Sequence, residues 1–168
     1  MPVLTKDETM NIHFSSVTDL HATPQEFFDK LNAEFNFTLD VCATDENTKC
    51  LSWFTKEHDG LCQEWKGVVW MNPPYGREIG RWMEKANEAA NEGATVVCLV
   101  PARTDTKWWH ECAIQHEVRF IRGRLKFGDA KNSAPFPSAV IVMRSRVGHN
   151  AEITGGLNEL LDQRGRIR

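Results

Sequence analysis

Apolar positions along the 168-residue chain switch between a helical period and short continuous runs. Thr23-Pro24-Gln25-Glu26 opens the first clear helix: Thr23 can cap, Pro24 suits the first helical position, and Glu26 completes a capping box. Phe27, Phe28 and Leu31 define its buried face, and it should end near Phe35. Phe37–Val41 predicts a short strand, with aromatic and β-branched residues ahead of a carboxylate. Residues 44–64 keep no clean period and read as irregular. Gly67–Met71 is a near-continuous apolar run, as expected of a parallel strand covered on both faces, and Asn72-Pro73-Pro74-Tyr75-Gly76 turns the chain after it.

Ile79, Trp82, Met83, Ala86 and Ala90 recur at helical spacing and predict a helix over 77–92. Thr95–Val100 predicts the next buried strand, stopped by Pro101, followed by a helix over 106–115 and a strand at Val118–Ile121. Arg124–Phe127 and Ser138–Met143 flank a Gly/Asn/Pro-rich loop and predict a long hairpin. The first twenty residues read as an arm or loop, and Gly155-Gly156 precede a short helix and the basic end Arg164–Arg168. Alternating strands and helices argue for an α/β, mostly parallel sheet with right-handed crossovers and an antiparallel hairpin edge. Ligands in such sheets sit beyond the carboxyl ends of the strands, which points to the residues after Val41, Met71 and Val100.

Composition narrows the class. With 41% hydrophobic and 26% charged residues the chain suits one globular domain, residues 1–168, without room for a separate recognition domain. Six Trp and nine Phe against one Tyr place much of the core in aromatic rings, and collagen-like or disordered classes are excluded. No run approaches the roughly 20 apolar residues that span a bilayer, and the first residues lack a signal-peptide pattern. Five cysteines are an odd number, so a complete disulfide framework is not expected. These features predict a soluble protein of a reducing, cytoplasmic compartment with no membrane partner.

The net charge of −3 conceals a gradient. Residues 1–64 hold 4 Lys/Arg and 12 Asp/Glu, residues 65–118 hold 6 and 7, and residues 119–168 hold 10 and 4. The basic end suits a polyanionic partner, and an unevenly charged solvated surface is the plain alternative. Arg122, Arg124 and Lys126, with Arg119 and Lys131, concentrate positive charge in a basic hairpin region over 119–148, leaving 149–168 as a tail.

The most specific chemical signal is Asn72-Pro73-Pro74-Tyr75 at the end of a buried strand. Two prolines fix φ and remove two donors, leaving stiff carbonyl acceptors, and Asn72 adds an amide acceptor beside an aromatic ring. That arrangement suits a planar amine. Ligand types for a metal occur at His110, Cys112 and His116 and at His58 and Cys62, but without paired spacing, so no metal is expected. No Gly-Lys-Ser/Thr phosphate loop is present.

The turn, the strand before it and further segments from about His21 to Arg144 resemble the phage-type DNA N6-adenine methyltransferases. The likeness includes Thr23-Pro24, Leu39–Thr44, Asn47, Asp59-Gly60-Leu61, Val100–Asp105, Gly123–Phe127 and Ala134–Ser138. The resemblance implies a Rossmann-like S-adenosylmethionine-dependent sheet, double-stranded DNA as partner, a bacterial host cytoplasm, and a monomer or weak dimer. It implies that Asn72 and Pro73 accept the hydrogens of an extruded adenine amino group while Pro74 stiffens the turn and Tyr75 stacks on the base. It places Asp40, Val41, Cys42 and Ala43 at the cofactor turn, with Thr23 and Pro24 near the methionine end; Asp59 would accept from the amino group of the cofactor adenine or serve as a plain turn aspartate. No Gly-x-Gly follows Asp40, unlike the wider methyltransferase pattern; Ala43, Thr44 and Asp45 stand there.

Phe127 or Phe136 would cover the other face of the target base, or belong to the core. Arg103, with Thr104, Asp105 and Trp108, would line the base pocket or meet the phosphate backbone. Arg122, Arg124 and Lys126 would contact DNA, with GATC as the target the family suggests and protection of phage DNA from restriction as the role. Two other readings stay open: the same chemistry on cytosine N4, an RNA adenine or a protein glutamine, and a catalytically silent DNA- or partner-binding module of the same fold.

Overall fold

A computed structural model of the chain describes residues 21–145. The expected N-terminal arm and the helix after Gly155-Gly156 lie outside the described residues. Helix α1 (Gln25–Phe35) buries Phe28 and Leu31, with Phe27 partly covered. Asn36 ends it in the left-handed conformation at φ 54°. The start differs from expectation. Pro24 occupies the N-cap, no side chain caps the helix, and Thr23 is engaged elsewhere.

Six strands form one sheet: β1 (Leu39–Asp40), β2 (Ser52–Trp53), β3 (Val68–Met71), β4 (Thr95–Pro101), β5 (Glu117–Phe120) and β6 (Ser138–Met143). Their order is β2-β1-β3-β4-β6-β5, with β2, β1, β3 and β4 mutually parallel and β6 antiparallel to both neighbours. The mostly parallel α/β sheet with an antiparallel edge is as expected. The edge is built differently, however: Ser138–Met143 pairs with β4 and β5, not with Arg124–Phe127. Residues 121–137 form a loop closed by single bonds such as Ala134 N–H to the Leu125 carbonyl at 2.8 Å.

Two elements depart from the period-based reading. The segment 44–64 contributes β2 and a 3-10 turn, Gly60–Cys62, to an otherwise irregular stretch. The helix expected over 106–115 is short, and its centre, Trp109–Ala113, is π-helical: Ile114 N–H reaches back five residues to the Trp109 carbonyl at 2.9 Å.

Helix α2 (Ile79–Asn91) lays Ile79, Trp82, Met83, Ala86 and Ala90 on the sheet. Val69, Trp70, Met71 and the run Val96–Val100 are buried almost completely, so the centre of the sheet is covered on both faces. Parallel β1, β3 and β4 therefore end together at one rim, and the segments following all three meet there. Among the described residues no helix is long and apolar enough to cross a membrane, all five cysteines are free thiols, and no cluster of three His, Cys, Asp or Glu is disposed to hold a metal.

Candidate active site

Leaving β3, the chain enters Asn72-Pro73-Pro74-Tyr75, whose side chains are tied together. The Asn72 Nδ2 donates to the His21 carbonyl at 2.7 Å and to Thr23 Oγ1 at 3.0 Å. Its Oδ1 accepts from the Tyr75 hydroxyl at 2.7 Å, and that hydroxyl also lies 3.1 Å from the Leu99 carbonyl on β4. A buried phenol needs a partner, and here it has two within reach. Burial holds the Tyr75 hydroxyl well above its ordinary pKa, so it remains a donor. Arg103, just beyond β4, donates from Nη1 to the Tyr75 carbonyl at 3.0 Å.

The Tyr75 ring does not stand open. His21, Tyr75, Phe127 and Phe136 form a four-ring cluster in which all six pairs touch, from 4.8 Å between His21 and Tyr75 to 6.1 Å between Phe127 and Phe136. Phe127 and Phe136 both meet Tyr75 edge-on. Both residues named in the sequence for the base slot thus lie beside Tyr75, and both also pack against the core.

A small recess, of about 30 Å3, opens against this turn. Asn72, Pro73, Pro74 and Trp70 form one side, and His21, Thr23, Asp40, Cys42, Asn47 and Lys49 complete it. Asp40 is 3% exposed and uses both oxygens on backbone: Oδ1 accepts from Cys42 N–H at 3.2 Å and Oδ2 from Lys49 N–H at 3.1 Å. Burial raises its carboxyl to about 6, opposed by those two bonds. The Cys42 thiol is pushed up to about 12 by burial and by the neighbouring Asp40 charge, which leaves it neutral. Thr44 and Asn47 bond reciprocally, Thr44 N–H to Asn47 Oδ1 at 2.7 Å and Asn47 N–H to Thr44 Oγ1 at 3.2 Å, and this pair shapes the loop.

The sequence-selected residues are thus partly gathered. Thr23, Asp40, Cys42 and the Asn72–Pro74 turn share the recess. Val41 and Ala43 are buried beside it, and Pro24 starts α1. Asp59 is not among the lining residues: it is exposed, takes φ 49°, and accepts from the Cys62 thiol at 3.1 Å. Arg122, Arg124 and Lys126 are exposed on the 121–137 loop. Sequence reasoning passed over His21 and Lys49. Lys49 carried a signal, being one of only four Lys/Arg in the acidic first 64 residues.

Two comparisons bear on this site. The chain is 34% identical over 113 residues to the DNA N-6-adenine-methyltransferase of Haemophilus phage HP1, covering 66% of this chain and 63% of that protein. It is 32% identical over 99 residues to the DNA N-6-adenine-methyltransferase of Escherichia phage T1, covering 57% of this chain and 41% of that one. The matched region therefore spans less than two thirds of either relative. The family profile described as DNA N-6-adenine-methyltransferase (Dam) matches residues 11–154, through every element of the sheet and the whole turn at Asn72, and the chain belongs to that family.

Proposed function

We propose that the protein transfers a methyl group from S-adenosylmethionine to N6 of an adenine extruded from double-stranded DNA. The observation that carries this reading is the shared wall: the Asn72-Pro73-Pro74 turn forms one side of the recess beside β1. An amine acceptor and a donor site are thereby adjacent. Asp40 holds the loop beside it through both oxygens, and the Asn47 amide, the Thr23 hydroxyl and the Lys49 ammonium, which donates to Gln25 Oε1 at 2.7 Å, fit a ligand carrying an amino group, a carboxylate, a sulfonium and sugar hydroxyls. When bound, that cofactor supplies an electrophilic methyl carbon.

The chain's own contribution is orientation. The adenine amino nitrogen is a weak nucleophile because its lone pair is delocalised into the ring. Asn72 Oδ1 and the Pro73 carbonyl accept its two hydrogens, which favours a pyramidal nitrogen with its lone pair directed at the recess. Oδ1 already accepts from Tyr75, but a carbonyl oxygen has two lone pairs, and the single Tyr75 proton can turn to the Leu99 carbonyl instead. With that donor bound, the amine held by Asn72 Oδ1 and the Pro73 carbonyl would face its methyl carbon, and the surplus amine proton would pass to water without a dedicated base. A base entering beside Tyr75 takes the place of a ring in the four-ring cluster, and base–aromatic stacking of about 1–3 kcal/mol offsets the loss.

The exposed Arg122, Arg124 and Lys126 contact DNA phosphates in this reading. The phage source of both relatives supports a phage origin, a bacterial host cytoplasm and a role in protecting phage DNA, with GATC as the context to test first. The experiment is modification-aware sequencing of DNA from cells expressing the protein, paired with transfer of labelled methyl in vitro. N6-methyladenine in a defined context is the expected result. Label only on cytosine N4, RNA or protein would overturn the adenine assignment, and no donor binding even with DNA present would leave a silent module.

A further inference from the structure

A second recess, of about 280 Å3, opens at the downstream end of the same turn and plays no part in the chemistry above. Gly76, Arg77 and the first turn of α2 form one wall, and Arg103, Lys107 and Trp108 after β4 form the other. Three cations thus line it against two carboxylates, Glu84 and Glu111, and Lys107 lies 3.7 Å from Glu111. Arg77 makes no ion pair or hydrogen bond among the described residues. Arg103 commits one Nη1 donor to the Tyr75 carbonyl at 3.0 Å, and the rest of its guanidinium has no protein acceptor among them. The wall includes the positive end of the α2 dipole. One net positive charge, an unengaged guanidinium fork and a flat indole together match a single phosphodiester with its sugar.

We propose that this recess holds the sugar–phosphate backbone of the target strand next to the extruded adenine, with Arg77, Arg103 and Lys107 on phosphate oxygens and Trp108 against the adjoining deoxyribose. The inference rests on the reading of the Asn72 turn as an adenine site. An adenine leaves the stack by rotation about its own flanking phosphodiesters, so these must be held close to where the base lands. Gly76 is one residue from Tyr75, and Arg103 is bonded to the Tyr75 backbone itself. A phosphate on Arg103 would be one hydrogen bond removed from the turn that receives the base, and its seating would brace that turn.

The test uses the full chain and a duplex carrying the methylated context found by sequencing. Binding is measured over a salt series for the parent, Arg77→Gln, Lys107→Gln and, as control, Lys66→Gln. Lys66 precedes β3 at the opposite rim, paired with Glu64. Each groove variant should lower the slope of log K against log salt by about one, and the control should not. Replacing the phosphate beside the target adenine with a neutral methylphosphonate should weaken parent binding about tenfold, with little further loss in Arg77→Gln. Unchanged slopes, an equal loss of slope in the control, or the same methylphosphonate penalty in parent and Arg77→Gln would overturn the groove. Methyl transfer by the parent with a flat phosphate scan refutes the groove alone; absence of any transfer to DNA refutes the adenine site and the groove with it.

Discussion

Replacing Asn72 with Ala removes an acceptor and breaks three bonds together: those to the His21 carbonyl, to Thr23 and from Tyr75. The Tyr75 hydroxyl keeps the Leu99 carbonyl, while the His21 carbonyl and the Thr23 oxygen lose the amide donor. At about 1 kcal/mol net for each bond, the variant should lose about 2–4 kcal/mol of stability. At about 2–4 °C for each kcal/mol in a domain of this size, melting should fall by about 5–15 °C. The catalytic loss is separate, about 10²–10³ in rate for one preorganised group at the reacting centre. Melting curves without substrate and single-turnover methyl transfer to DNA, run well below the lower melting point, measure the two effects independently. Asn72→Asp discriminates further. It keeps the Oδ1 acceptor but sets a second acceptor against the His21 carbonyl, so it should lose stability as Ala does and regain most of the rate. A folded Ala variant within tenfold of parent activity would refute the reasoning, as would an Asp variant as slow as Ala.

Tyr75→Phe should cost about 1 kcal/mol of stability and leave the ring in place, so transfer should fall less than in Asn72→Ala, as the same single-turnover assay would show. Asp40 sets a pH dependence whose sign follows from its raised carboxyl, about 6 when folded against 3.8. Between those values the folded protein holds the proton and the unfolded chain does not, so stability should fall as pH rises to about 6 and then level off. The gap is worth up to about 3 kcal/mol; urea unfolding of parent and Asp40→Asn from pH 4.5 to 7 should diverge accordingly, and a constant difference would refute it. Gly60→Ala would place a Cβ against the Val41 carbonyl, with the Trp82 ring 3.2 Å away. Its urea midpoint should drop by the equivalent of about 1–3 kcal/mol, and an unchanged midpoint would refute that packing.

The central strands were legible because burial on both faces removes any need for alternation: Trp70, Met71 and Val96–Val100 are apolar throughout. The two-residue β2 was not legible, since Ser52 is exposed and Trp53 only half-buried, leaving no pattern to read. The misread hairpin is instructive because the signal against it was present. All six residues of Ser138–Met143 are buried, and a strand of that kind needs neighbours on both sides, which an outer hairpin cannot supply. Arg124–Phe127 is bounded by Gly123 at φ 82° and Gly128 at φ 52°, conformations that interrupt an extended chain at both ends.

At the site, residue types were legible and their partners were not. The Asn-Pro-Pro-Tyr turn announces itself locally, whereas the bond from Asn72 to Thr23 joins residues 49 positions apart and depends on where α1 begins relative to the end of β3. Thr23 could be read as a cap or as a site residue; Pro24 takes the N-cap instead, and the Thr23 hydroxyl accepts from Asn72. Asp40 lines the recess, but its bonds run to the backbone. Its oxygens are both taken by the N–H groups of Cys42 and Lys49, so the carboxylate shapes the loop it begins. A Gly-x-Gly turn gains its close approach from backbone freedom, and this loop has none of that freedom at Ala43, Thr44 and Asp45. The Asp40 bonds and the Thr44–Asn47 pair hold the loop in shape by side-chain acceptors instead, which explains how a recess forms here without the glycines.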